Sequence, residues 1–342
     1  MKTSYFALER IKILFAFINI YLVWGATYFA ITFALKGFPP FVLSGIRFIT
    51  AGLILLIWRK LKKDKPLSIK NIGFAGISGI LVLVGGTGMV SWAQQYISSS
   101  EAAILGATQP FFFILFDKKQ WPTYFGKLSI ILGLTIGFFG LILFINQRTT
   151  TAYQINENGS LQIIAYLVLI ASAASWVIGA LFSKRNSQKF QSSVYLNAAW
   201  QFIAAGIVTS SIAALQSDWE TVQWNSISSE AWGGLSFLIF AGSLASYLSF
   251  SWLITKKPAA LVSTFTYVNP VVAVLLGVIF LQEHISINQY LALFIILIGV
   301  LLTNLSTYKL PKAIRLKIFQ FKLILAWFIG IRKYVRIIQL EA

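Results

Sequence analysis

The chain has 342 residues, of which 57% are hydrophobic and only 11% charged, and it carries a formal net charge of +18. Its mean hydropathy is +0.76. A water-soluble protein cannot hide that much apolar surface, so the composition excludes an ordinary soluble domain and points to a polytopic membrane protein.

A helix needs roughly 20 mostly apolar residues to cross a hydrocarbon core of about 30 Å. In chain order the apolar runs predict spans at 13–35, 40–58, 72–92, 98–116, 128–146, 161–182, 194–214, 231–253, 260–281 and 286–306. The first reads as a span and not as a signal peptide, because it is too long and has no small-residue cleavage site. Pro39 and Pro40 close the first run and open the second, since proline cannot continue a helix but suits its first turn.

Positive charge falls on every second connection. Lys2, Arg10 and Lys12 precede the first span, and Arg59 to Lys70 hold six basic residues after the second. Lys118, Lys119 and Lys127, then Lys184, Arg185 and Lys189, then Lys256 and Lys257 follow on alternate loops. The other side carries Lys36 and Arg148 with Glu157, Asp218, Glu220, Glu230 and Glu283. The positive-inside rule then makes both termini cytoplasmic and the number of spans even. Nucleic acid is not an expected partner, because the basic residues are dispersed over many loops. The expected partners are the lipid bilayer and a small-molecule substrate, and the sequence leaves monomer and homodimer open.

Trp24, Ala51-Gly52, Pro110 and Gly140 recur in the same order as Trp176, Ala205-Gly206, Pro270 and Gly299. Each proline follows a carboxamide, Gln109 or Asn269. Two halves of five spans enter the membrane in opposite senses, and such inverted repeats are the architecture of alternating-access transporters. The fold class is therefore all-α and integral to the membrane, with ten transmembrane helices as two inverted five-helix repeats. The divisions are a cytoplasmic N-terminus (1–12), a first repeat (13–146), an external linker (147–160), a second repeat (161–306) and a basic tail (307–342). The apolar stretch of the tail is too short to span. It reads either as a helix lying on the anionic inner leaflet or as a partly disordered basic tail.

Val23-Trp24-Gly25-Ala26-Thr27-Tyr28-Phe29, Gly45-Ile46-Arg47-Phe48-Ile49-Thr50-Ala51-Gly52 and Gly85-Gly86-Thr87-Gly88 resemble segments of the EamA-type transporters, in the drug/metabolite transporter superfamily. The most specific stretch is Tyr267-Val268-Asn269-Pro270 through Gly277, followed by Glu283. The resemblance covers about residues 13–306. It implies ten helices in two inverted repeats and export of small metabolites or drugs across a bacterial inner membrane. The first half lacks a glutamate matching Glu283, so any capping or gating role of that position belongs to the second half alone.

Arg47 is the one basic residue placed well inside a span, where a charge faces a cavity or a partner. It either holds a substrate carboxylate by bidentate bonds or packs against helix-end carbonyls. Trp24, Tyr28, Trp92, Trp176, Trp200, Tyr247 and Tyr267 lie at or near span interiors. There they either wall a substrate path or pack helices together. Gln109 and Asn269 beside Pro110 and Pro270 mark bent helices that line a cavity or move in gating. The glycines of the third and fifth spans read as close-packing positions.

No Asp or Glu falls at midspan; Glu101 is the nearest candidate. Facilitated movement down a gradient is therefore expected, with coupling through Glu101 as the alternative. The leading function is a secondary exporter of small metabolites, amino acids or aromatic compounds. A multidrug exporter of hydrophobic cations is the alternative, and it would want a buried carboxylate. A lipid-modifying membrane enzyme is more remote, because it needs clustered His, Asp, Glu or Cys. There is no cysteine and one histidine, His284, so neither a metal site nor a cofactor is expected.

Overall fold

Proline, glycine and capping serines end the helices where the sequence punctuates them. Pro39 holds an extended backbone (φ −54°, ψ 150°) before the helix that Pro40 begins. Ser68, Ser98 and Ser228 each accept a backbone N–H at a helix start, as N-caps do. The computed structural model describes residues 2–118, 121, 128–145, 159–190, 193–257, 262–263 and 265–305. The basic tail, most of the 147–160 linker and the Tyr267 side chain lie outside the described residues.

The described chain is all-helical. The helices are α1 (Lys2–Ala34), α2 (Pro40–Leu61), α3 (Ile69–Ala93), α4 (Ser99–Phe116) and α5 (Leu128–Ile145). They continue with α6 (Gly159–Phe190), α7 (Val194–Leu215), α8 (Ser229–Lys256), α9 (Phe265–Leu281) and α10 (Ile287–Leu305). Among the described residues seven, α1 to α4 and α6 to α8, contain runs long and apolar enough to cross a membrane. The expected fifth, ninth and tenth spans correspond to shorter apolar helices, Leu128–Phe144, Val268–Leu281 and Ile287–Gly299. α1 and α6 extend past their expected ends because an apolar-run window stops at the first charges, whereas helical hydrogen bonding does not. Large apolar side chains such as Ile57, Phe139, Ile163, Ile207, Phe240 and Phe294 remain exposed along the flanks. In water such a surface would drive aggregation; against lipid it is at home.

Two helices are not regular throughout. α3 widens into a π-helical stretch at Ile80–Gly88, and α8 does the same at Leu238–Tyr247. A π turn passes its bonds to the fifth residue along and frees carbonyls at its ends. α4 is interrupted instead: Ala107 and Thr108 form a turn between Ser99–Gly106 and Gln109–Phe116. The sequence leads one to expect comparable bends at both prolines. Pro110 sits at the start of the new helical segment, where its missing N–H is harmless. Pro270 lies inside a continuous α9.

α1 packs on α8 and α9, and α6 packs on α3 and α4. α2 pairs with α7 and α5 with α10, while α7 also meets α3 and α2 meets α8. Glycine permits the two paired contacts. A Cβ at Gly206 would fall 2.7 Å from the backbone N of Ile49, and one at Gly52 would fall 2.8 Å from Ile203 Cδ1. In the α5–α10 pair, a Cβ at Gly299 would collide with the Gly137 backbone.

Loops gather at two ends. Residues 63–68, Phe190 and Ser193 border one cleft at the lysine-rich end. At the opposite end Lys36 to Phe41, Trp92, Gln95, Tyr96, Gln216 and Asp218 border another; this is called the proline end below.

The α2–α7 seam gives a direct prediction. Gly206→Leu lowers the thermal unfolding temperature in detergent by the equivalent of about 1–3 kcal/mol, the usual consequence of overpacking. Gly73 and Gly233 have nothing within 4 Å of a built Cβ. Their replacement by alanine leaves the temperature unchanged or raises it slightly. Equal behaviour of all three variants would show that the seam is not tight.

Candidate functional site

The two π stretches face each other across the middle of the molecule, and α1 and α6 satisfy the backbone they open. Trp24 Nε1 on α1 donates to Gly242 O in the α8 stretch at 3.1 Å. Ser175 Oγ on α6 donates to Leu81 O in the α3 stretch at 2.8 Å. Between them is an interior cavity of about 80 Å³. Its lining includes Trp24, Tyr28, Arg47, Gln109, Trp176, Tyr247 and Asn269, so seven of the ten residues named from sequence as substrate-facing share one space.

Trp92 and Trp200 do not line it. Trp92 borders the separate cleft at the proline end, with its ring 5.1 Å from that of Tyr96. Trp200 is half-buried on α7 and is not a lining residue. Midspan depth cannot say which side of a helix faces inward. Pro110 and Pro270, expected to kink or gate, are both buried, each next to a lining carboxamide. Sequence reasoning passed over Thr27, Thr87, Ser172 and Ser243, small hydroxyl residues that also line the cavity. Three of them sit in or beside glycine-containing motifs (Gly25 to Thr27, Gly86-Thr87, Gly242-Ser243), which was the available signal.

Arg47 is 5% exposed. Its Nε donates to Ser243 Oγ at 2.8 Å, and its Cζ lies 5.3 Å from the Phe48 ring centre. A Cβ at Gly242 would come within 3.2 Å of Nη2, so the missing side chain there makes room for the guanidinium. Among the described residues no Asp or Glu is ion-paired with Arg47. The two carboxamides differ. With its amide oriented so that both ends are satisfied, Asn269 donates to Tyr21 O at 3.1 Å and Phe265 O at 3.0 Å, tying α9 to α1. Gln109 Oε1 is buried without a partner.

Towards the lysine-rich end the cavity is closed by rings. Trp24, Phe250 and Phe265 from α1, α8 and α9 meet Trp176 from α6, with centroids 6.0, 4.7 and 5.9 Å from it. Phe113 on α4 stands 6.3 Å from Trp176. Such edge and tilted contacts suit aromatic quadrupoles.

Towards the proline end the closure is polar. α9 stops at Leu281, and Gln282 takes a left-handed backbone (φ 53°) that turns Glu283 back over the helix end. The Glu283 carboxylate then accepts from Ser99 N (2.9 Å), Ser99 Oγ (2.7 Å), Ser100 N (3.2 Å) and Ser100 Oγ at the first turn of α4. A carboxylate is favoured there by the free N–H groups and the helix dipole. A side chain at Gly277 would strike both Glu283 and Ser100, so the approach depends on that glycine. Nearby, Gln94 Nε2, just past the end of α3, donates to Tyr28 O on α1 at 2.9 Å. Glu101 is 2% exposed and completes a capping box with Ser98, while Tyr166 Oη donates to it at 2.6 Å. It does not line the cavity.

With this geometry in view, comparison with known proteins gives a consistent result. A model of the EamA-like transporter family matches residues 11–146 and again 163–305. An Escherichia coli K12 protein named "Uncharacterized inner membrane transporter YedA" is 32% identical over 300 residues, covering 86% of this chain and 92% of that protein. The Bacillus subtilis "Uncharacterized transporter YoaV" is 24% identical, covering 86% and 97%. A chain of known crystal structure superposes with a TM-score of 0.60 at 16% identity, over 86% of this chain and 97% of that one; this likeness concerns the fold.

The Glu283 clasp is testable without a substrate. Glu283→Ala lowers the thermal unfolding temperature in detergent, by the equivalent of about 1–3 kcal/mol for the donors left without an acceptor. Glu283→Gln recovers part of it, because only one of its two terminal atoms accepts. Glu220→Ala, at an exposed position, changes nothing. An unchanged temperature in Glu283→Ala would remove the clasp from the forces holding α4 to α9.

Proposed function

The chain belongs to the EamA-like transporter family, and from that premise we propose that it exports small metabolites, amino acids or aromatic compounds, across a bacterial inner membrane by alternating access. The observation that carries the proposal is the midplane cavity, where α1, α8 and α9 meet α3, α4 and α6 around a buried arginine. Central sites of this kind characterise transporters built from inverted repeats.

In this reading residues 13–146 and 161–306 are inverted five-helix repeats. Two separate matches of one family model support it. So does the packing: replacing α1 to α5 by α6 to α10, and the reverse, turns α1–α8 into α6–α3, α1–α9 into α6–α4 and α2–α8 into α7–α3. The α2–α7 and α5–α10 pairs map onto themselves and serve as the pivots. The lysine-rich end faces the cytoplasm and both termini lie there, by the positive-inside rule. The inner-membrane location is supported by the name of the Escherichia coli relative.

The aromatic closure is then the cytoplasmic gate and the Glu283 clasp the external gate. In this reading both are shut. A cavity of about 80 Å³ is well below the roughly 300 Å³ at which ligand pockets begin, so loading requires one gate to part. Glu101 is held in a helix cap away from the cavity, which supports movement down a gradient over coupling through Glu101.

Two measurements test the proposal. Cells overproducing the chain, preloaded with a panel of labelled amino acids and aromatic acids, release at least one compound several-fold faster than control cells. No accelerated release of any panel member would defeat the exporter reading. Because the chain has no cysteine, a Ser100→Cys/Glu283→Cys double variant is free of background thiols. Oxidation stops its release of that compound and reduction restores it. Undiminished release from the cross-linked form would rule out opening at this end.

A further inference from the structure

We propose that the cavity selects small organic monoanions with a flat apolar body, and that Arg47 is the group that takes the charge. The inference deepens the transport reading of this cavity and rests on it.

A guanidinium does not shed its proton to escape burial in the way an amine does. Arg47 is 5% exposed and in the interior of a helix long and apolar enough to cross a membrane. Its Nε is used on Ser243 Oγ, and among the described residues neither Nη has a hydrogen-bond or ion-pair partner. Among the described residues the cavity lining contains no Asp or Glu. Glu283 and Glu101, both towards the proline end, are engaged elsewhere, Glu283 on Ser99 and Ser100 and Glu101 on Ser98 and Tyr166. The described lining of the cavity therefore carries one net positive charge.

Ligands differ in what they do to that charge. A monoanion cancels it, and a carboxylate can take the two free Nη groups in a fork. A zwitterion adds a second positive charge beside the first, and the neutral Gln109 Oε1 can offer its ammonium a hydrogen bond but no counter-charge. A cation doubles the unpaired charge. This ordering runs against hydrophobic cations, the substrates of the multidrug alternative. The ligand body is set by the other wall. Trp24, Trp176 and Phe265 present ring faces and edges, and Trp24 has spent its N–H on Gly242 O. Such a wall receives flat apolar groups.

The experiment is a charge series on one ring: 3-phenylpropionate, phenylalanine and 2-phenylethylamine, each titrated against the purified full chain by thermal shift. A ligand selective for the folded state raises the unfolding temperature by mass action. The expected result is the order anion, zwitterion, amine, with the anion bound at least tenfold more tightly than the amine. Propionate, which has the charge without the ring, gives no shift. In Arg47→Ala the preference for the anion disappears. Should that variant not fold, Arg47→Lys keeps the charge without the fork, so its anion affinity falls while the order holds. A tighter zwitterion or amine, or anion binding indifferent to Arg47, overturns the class. That outcome leaves the exporter reading standing if preloaded cells still release a panel compound. Absence of binding by all three ring compounds also overturns the class.

Discussion

A helix in an apolar layer cannot release a carbonyl unless another group catches it, because no water is present to do so. The centre of this protein depends on two such releases. α3 and α8 each open into a π stretch at midspan, and the widened backbone is tolerated because Ser175 and Trp24 reach across from α6 and α1. The bond to Gly242 O also fixes the Trp24 ring, which is why its edge meets Trp176. One constraint thus creates the cavity, orients its main aromatic wall and leaves Gly242 bare for the Arg47 guanidinium. Asn269 adds a further tie at this level, its amide donating to Tyr21 O and Phe265 O and so joining α9 to α1.

The closures at the two ends of the cavity differ in physical kind. The Glu283 clasp is a set of directional, charge-assisted bonds to two adjacent residues. Such bonds weaken steeply with misalignment, so the clasp is close to all or none. The ring cluster around Trp176 has no such threshold. Its contacts change gradually as rings slide, and its attraction scales with area. In the proposed cycle one gate snaps while the other yields. Both join the group around α1 to the group around α6, so neither group need deform internally when a gate parts.

Much of this was legible in the chain. Apolar runs located the helices, because length and composition are what a bilayer demands. The paired markers Trp24 and Trp176, Gly52 and Gly206, and Gly140 and Gly299 proved to lie on helices that touch. Arg47, Gln109 and Asn269 stood out because polar side chains inside an apolar run need a reason. The rest required three dimensions. No residue pattern announces a π stretch, since the same apolar and small residues would continue an ordinary helix. Trp92 and Trp200 show that depth without facing is insufficient. A capping or gating role for Glu283 could be raised from the sequence, but its partners Ser99 and Ser100 were hidden, because they lie in the other half of the sequence and meet it only across the folded seam. The difference between Pro110 and Pro270 was likewise invisible: a break needs the preceding residues to leave the helix, and that is decided by what packs around them.

Charge links the site to the whole chain. Most of the +18 sits on loops at one end, where by the positive-inside rule it sets orientation. Those same lysines and arginines create a positive potential that enriches anions near them within about a Debye length. If that end is cytoplasmic, an anionic substrate is concentrated where it must enter, and a cationic one is repelled there. The long-range field and the single buried guanidinium then favour the same sign of ligand, although one is a diffuse surface property and the other a fixed group. A cavity lined by an acid would have set the two against each other, with the entrance turning away what the site was built to hold.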